Sequence, residues 1–323
     1  MKRTTVSGIA LSVIALLVIS CSASLRAQQS SASQEEVISD LMDRGNYFSH
    51  ARDYAHAEAE YLKAVGEAEK IGPASRELIL PLHALAVTYA NENKRAEAEA
   101  TFRRLLAVQE TTLGPDDPAV ATTVLSIAFA SELLQKYDEA LGFFRQSLAL
   151  LEKKWGPNHA QVADALTALA GFQVRMEQYD EARPLLERAL PIQEKALAPD
   201  SPMLGGTLYN LGKIYNESNQ ASRAEPVLVR AVAILGNYFG RESPNVAGAL
   251  RELGRAYSDQ EKYAQAEPLY RRVVELREKE FGPDATELVP VLEDLSALLL
   301  QTGRAAEAAA VQNRADAIRS KQQ

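Results

Sequence analysis

The chain has a single cysteine, Cys21, so no disulfide can close within it. Aromatic residues are sparse: Tyr, Phe and Trp together make 7% of the sequence, and there is one tryptophan, Trp155. Sheets draw heavily on aromatic and β-branched side chains, and here Ala and Leu prevail, so helices are expected instead. Excess positive charge is missing as well, since 35 Lys and Arg stand against 43 Asp and Glu for a net charge of −8. That balance argues against nucleic acid as the main partner, because phosphate recognition needs clustered cations. There is no glycine-rich phosphate loop, no GxSxG elbow and no HExxH pair. Beyond residue 19 no apolar run is long enough for a membrane helix. What is present is a chain of 323 residues that is 46% apolar, enough to bury a core in two compact domains or in one elongated array.

The first residues read as an export signal. "MKRTTVSGIALSVIALLVISCSAS" carries Lys2 and Arg3, an apolar run from Ile9 to Ile19, then small residues. Val18-Ile19-Ser20-Cys21 resembles the lipobox of bacterial lipoproteins, a family in which the cysteine becomes the acylated N-terminus. The alternative is an ordinary signal cut after Ala23 or Ala27. The lipoprotein reading is preferred because the lone cysteine sits where a lipid would be attached. On either reading the protein is exported, to a bacterial periplasm or to an envelope membrane through a lipid. The expected boundaries are a signal over 1–20, a polar tether over 21–36 and a folded body over 37–323.

Periodicity organises that body. Aligned on its Gly-Pro turns, the chain repeats every 42 residues, with units beginning at Ile79, Ala121, Ala163, Gly205, Ala247 and Val289 after an earlier one near Val37. The spans are 37–78, 79–120, 121–162, 163–204, 205–246, 247–288 and 289–323. Alanine recurs at the twentieth position: Ala98, Ala140, Ala182, Ala224, Ala266 and Ala308. Leu82, Leu85, Ala86 and Tyr89, like Leu208, Leu211, Gly212 and Tyr215, trace the i, i+3, i+4, i+7 stripe of an amphipathic helix. A second stripe runs through Ala140, Phe144, Ser147 and Leu148, so each unit should be two helices. Small residues at the eighth and twentieth positions let the two backbones approach.

Unit junctions have their own pattern. A large apolar residue (Ile71, Leu113, Trp155, Leu197, Phe239 or Phe281) precedes Gly72, Gly114, Gly156, Gly240 and Gly282, as a left-handed helix cap prefers, with Ala198 the exception. Asp117-Pro118, Ser201-Pro202 and Ser243-Pro244 then supply an N-cap followed by Pro. Trp155 and His159 occupy these same slots, so they read as punctuation rather than as a site.

These small and large positions resemble the tetratricopeptide repeat, and the 42-residue length is similar to the long repeats of kinesin light chains. "LGPDDPAVATTVLSIAF", "YDEARPLLERAL" and "LYNLGKIY" carry the likeness. It implies an all-α, right-handed α-solenoid of about seven repeats whose first helices line a concave, ligand-binding groove. It also implies a protein or peptide partner and a non-catalytic scaffold role. The family's asparagine at the sixth position is matched only by Asn210, since the other units have Ala84, Ser126, Ala168, Glu252 and Asp294.

No catalytic cluster emerges, and neither a cofactor nor a metal is expected. His50, Asp53 and His56 lie close in sequence but on a helix-turn-helix corner, without a His-x3-His face. The groove positions change character along the chain: His83, Val87, Leu125, Phe129 and Leu133 come first, then Arg175, Tyr209, Lys213, Asn216, Arg251 and Arg255. Exposed Leu and Phe would suit a partner's apolar side chains, and the cations a carboxylate. Alternatively, Leu125 and Phe129 pack on neighbouring repeats and the cations pair with Glu217, Glu252 and Asp259. An envelope enzyme using groove carboxylates and a purely structural spacer are the rival classes.

Overall fold

The computed structural model describes residues 33–321. The expected signal over 1–20, Cys21 and most of the tether lie outside the described residues; the tether's last four positions, 33–36, already belong to the first helix. Among the described residues there are fourteen α-helices, three short 3-10 turns and no strand. The chain divides into two compact units between Lys154 and Trp155.

The first unit holds α1 (33–50), α2 (Tyr54–Ile71), α3 (Ile79–Asn91), α4 (Arg95–Thr112), α5 (Pro118–Leu133) and α6 (Tyr137–Trp155, whose last residue crosses the division). The second holds α7 (Ala160–Arg175), α8 (Tyr179–Ala196), α9 (Pro202–Glu217), α10 (Ala221–Phe239), α11 (Ala247–Ser258), α12 (Tyr263–Phe281), α13 (Val289–Gln301) and α14 (Ala305–Ser320). Helices pack in chain order: α3 on α2 and α4, α9 on α8 and α10, α11 on α10 and α12. No helix among the described residues is long and apolar enough to cross a membrane.

The repeated small residues explain the pairing. Ala57, Ala98, Ala140, Ala182, Ala224, Ala266 and Ala308 are all buried, at the crossing of each first helix with its second. At the eighth position the close approach is literal. A Cβ on Gly212 would lie 2.3 Å from Leu228 Cγ, and one on Gly254 would lie 2.8 Å from Tyr270 Cε1. Glycine there admits a large side chain from the partner helix, whereas alanine does so at Ala86, Ala128 and Ala170.

Junctions follow the expected capping with two corrections. Asp117 accepts from Ala119 N at 2.9 Å, and His159 Nδ1 from Gln161 N at 3.3 Å. His159 therefore caps α7, and its ring stacks on Trp155 with centroids 4.9 Å apart. Ser201 sits at its N-cap position without a side-chain hydrogen bond, so only its extended backbone serves. Gly114, Gly156, Gly240 and Gly282 have φ between 76° and 92°, but Gly72 has φ 170°, which is extended backbone open to any residue.

A second left-handed position lies inside the repeats, at the turn from first to second helix. Arg52, Asn93, Gln135, Glu177, Asn219 and Glu261 all have φ between 54° and 61°. The backbone closes around them: the next residue donates to a carbonyl five back, as Lys94 N does to Tyr89 O at 2.8 Å and Gln220 N to Tyr215 O at 2.8 Å. The basic residue that follows the turn often reaches the preceding repeat. Lys94 meets Glu58 at 2.5 Å, Lys136 meets Glu99 at 2.7 Å, Lys262 meets Glu225 at 2.6 Å and Arg304 meets Glu267 at 2.7 Å. Glu99 is buried; burial works against its charge, but Lys136 and Arg103 outweigh that and hold its carboxyl below the ordinary range.

Candidate functional site

The face that each first helix turns away from its packed stripe has a different make-up in the two units. In the first unit it is apolar and bare. Val87 on α3 is 39% exposed, Phe129 and Leu133 on α5 are 41% and 52% exposed, and Leu125, one turn before Phe129, is half-buried. Phe129 is held from behind, its ring edge-on to the fully buried Phe144 at 5.1 Å between centroids. That support fixes the ring without covering it. His83 is exposed on α3, 6.5 Å from the Phe102 ring in an edge-on arrangement.

In the second unit the same face is largely polar, though Leu300 on α13 is 57% exposed, and several of its polar groups bond one another. Arg251 Nε donates to Asp294 Oδ2 at 2.6 Å, and Arg255 Nη1 to Glu217 Oε1 at 2.5 Å. Burial works against the charge on Arg251, yet Asp294 outweighs it and keeps the guanidinium protonated. Asn216 is buried, and its amide donates to both the carbonyl and the carboxylate of Glu252 at 2.9 Å each. It is therefore a tie between α9 and α11 rather than an open ligand contact. Tyr209 is half-buried, its ring laid over Gly248, where a Cβ would stand 3.4 Å from the hydroxyl. Burial pushes the Tyr209 phenol up, and Glu252 adds to the shift. Together with Arg251, Arg277 and Glu287, Tyr209 lines a cavity of about 260 Å³.

Lys213 is half-buried and has no ion pair among the described residues. Arg175 is exposed in the last turn of α7. Arg251 stands beside Asp294 and Glu252, Arg255 beside Glu217, Glu252 and Asp259, and Arg277 and Glu287 line the same cavity as Arg251. Burial also pushes the Asp259 carboxyl up; Arg255 counters this, while Asp294 and Glu217 reinforce it. The pairing alternative left open by the sequence is thus what Arg251 and Arg255 do, while Lys213 has no ion pair among the described residues. Sequence reasoning missed Asp294 as a partner, because it lies 43 residues from Arg251. That is one repeat plus one residue, a separation the repeat length itself signals.

The His50–Asp53–His56 corner also has a structural use. Asp53 caps α2 by accepting from His56 N, and its other carboxylate oxygen lies 2.7 Å from His56 Nδ1. Phe48 stacks on the His56 ring at 5.1 Å. Among the described residues no group of three or more His, Cys, Asp or Glu is arranged to hold a metal ion.

Comparison with known proteins agrees with this architecture. The profile of the tetratricopeptide repeat family matches residues 77–153, 120–195, 161–237 and 245–321. No curated protein sequence matches the chain. Among solved structures, nearly identical TPR-like repeats of a kinesin-light-chain-type protein from Podospora anserina are 25% identical, with TM-score 0.52, over 65% of this chain and 98% of that one. BtubC from P. vanneervenii is similar at 21% identity and TM-score 0.56, over 71% and 90%. The apo form of RapI aligns over 88% and 98% at TM-score 0.65; its 14% identity marks a shared fold and nothing more.

Proposed function

We propose that this chain, which belongs to the tetratricopeptide repeat family, is a non-catalytic scaffold that binds a protein or peptide partner through the first-helix face. The observation that carries the reading is the bare apolar surface of Val87, Phe129 and Leu133 on the first unit. Large apolar side chains left uncovered on one face, one of them braced from behind, are what a partner's side chains bury against. The polar face of the second unit contributes orientation more than affinity, since Arg251 and Arg255 already have carboxylate partners. Lys213 is the cation there best placed to meet an acidic group.

The scaffold works at a bacterial envelope, exported by its N-terminal signal and tethered by a lipid on Cys21. Support for this comes from the sequence of residues 1–24 alone. Two experiments test the proposal. The full chain, expressed in a bacterium, is fractionated with and without Cys21→Ser; acylated protein in the membrane fraction that the variant loses supports the anchor, and release of both forms as soluble protein removes it. Partners cross-linked to the full chain in envelope preparations are then titrated against Phe129→Ser/Leu133→Ser. Unchanged affinity would remove the apolar face as the binding surface.

A further inference from the structure

A second ladder of ion pairs runs along the second helices, and it lacks a member at two places: Gln146 stands at the basic position in register with Glu110, and Gly236 at the acidic position in register with Arg272. Arg230 bonds Glu194 at 2.8 Å, Arg314 bonds Glu278 at 2.6 Å, and in the first unit Arg104 bonds Glu69 at 2.5 Å. At 42-residue intervals the acidic position reads Glu110, Glu152, Glu194, Gly236 and Glu278. Gly236, on α10, is the exception. Its would-be partner Arg272, on α12, turns instead to two exposed carboxylates, Glu242 and Glu275.

Removal of that glutamate coincides with a cleft. Between α10 and α12, floored by α11, lies a cavity of about 670 Å³ lined by Val232, Leu250, Leu253, Tyr257 and Leu269. The matching cleft between α12 and α14, where Glu278 is in place, measures about 370 Å³. At the mouth of the larger cleft stands Arg241, exposed and without an ion pair among the described residues. Its Cγ lies 3.6 Å from where a Cβ on Gly236 would be. Leu250, Leu253 and Tyr257 face this cleft, whereas Gly248, Arg251 and Glu252 of the same helix line the small cavity around Tyr209. The two surfaces are separate.

We propose that the α10–α12 cleft is a second docking site, which takes a partner segment presenting a carboxylate beside an apolar side chain. The apolar side chain fills the space that Gly236 leaves open, and the carboxylate pairs with Arg241, supplying in trans the negative charge that the other repeats carry in cis. A volume of this order accommodates one or two large side chains.

The probe is a blocked, fluorescently labelled peptide, acetyl-Leu-Glu-Leu-Leu-Glu-Leu-amide, titrated against the full chain by anisotropy; a glutamine analogue serves as control. Saturable binding of the glutamate peptide is expected, with the glutamine analogue weaker by about fivefold or more, the loss of one charge-assisted pair. Gly236→Glu restores that rung and fills the cleft, so it abolishes binding. Arg241→Glu weakens binding by about fivefold or more, and Gly236→Ala, whose methyl fits, stays within about twofold. Glu is a better helix former than Gly, so Gly236→Glu keeps its helix content by circular dichroism. Absent saturable binding, equal binding of the two peptides, or unchanged binding to Gly236→Glu overturns the proposal. Loss of binding in Phe129→Ser with retention in Gly236→Glu assigns the peptide to the first-helix face, so this inference fails while the proposed function stands.

Discussion

The first-helix faces of the two units are built on one repeat and differ in what they leave undone. On α3 and α5 the outward positions carry Val87, Phe129 and Leu133, each of which keeps about two-fifths to one-half of its surface exposed. On α9, α11 and α13 the equivalent region carries three cross-helix ties: Asn216 to Glu252, Arg251 to Asp294 and Arg255 to Glu217. The fold constrains only the packed stripe, so the opposite face can vary. One unit spends it on an open apolar surface, the other on cross-repeat ties. Paired groups such as Arg251 and Arg255 offer a ligand less than their charge suggests, whereas Asn216 Oδ1 and Lys213 keep unused bonding capacity among the described residues.

Substitutions can break or sharpen that contrast. The largest effect should come from Phe144→Ala, which empties a fully buried site behind Phe129; denaturant unfolding should show a loss of about 3–5 kcal/mol. Phe129→Ala, on the bare face, should cost about 1 kcal/mol or less by the same measurement. If the two cost the same, Phe129 is core and the contrast fails. In the second unit, Gly212→Ala drives a methyl into Leu228 and should cost about 1–3 kcal/mol. Asn216→Ala leaves the Glu252 acceptors unmet and should cost about 1–3 kcal/mol. Lys213→Ala, which breaks no ion pair among the described residues, should stay within about 0.5 kcal/mol.

Acid should weaken both units in the same window. Glu99 in the first unit is lowered below 4.5 by Lys136 and Arg103 against the opposing effect of burial; in the second, Lys262 lowers Glu225 and Arg304 lowers Glu267. Their folded values lie below their unfolded ones, so the unfolded chain binds more protons. Their contribution is present in full above the ordinary value of 4.5 and is lost as pH falls through the lowered values. Thermal unfolding midpoints followed from pH 7 to pH 3 should hold until about pH 5 and then fall. Glu99→Gln should make that fall shallower. The smallest effect belongs to the intra-repeat turn: Gln135→Gly removes a Cβ from a left-handed residue with φ 60°. It trades about 1 kcal/mol of strain for a similar loss of chain entropy, so the midpoint should hardly move.

Much of the architecture was legible because it repeats. Ala98 through Ala308 at one interval set the phase, and every one of them lies in the core. The capping roles of Asp117 and His159 followed from the same overlay. The left-handed turn before each second helix was only partly legible: Gly303, Asn93 and Asn219 suit positive φ, but Arg52, Gln135, Glu177 and Glu261 give no such signal. Asn216 was misplaced for a related reason. Its position faces outward in a lone helix, but in the fold it is buried and its amide bonds Glu252 on α11. The bare face around Phe129 was legible as a pattern, but its exposure depended on whether neighbouring repeats covered it.

The central claim is that binding energy resides in the apolar face of the first unit. Equilibrium titration of a cross-linked and identified partner tests it most directly, with the full chain compared against Phe129→Ser/Leu133→Ser and against Arg251→Gln/Arg255→Gln. The account predicts a loss of about tenfold or more for the apolar pair and about threefold or less for the arginine pair. The reverse order would contradict it.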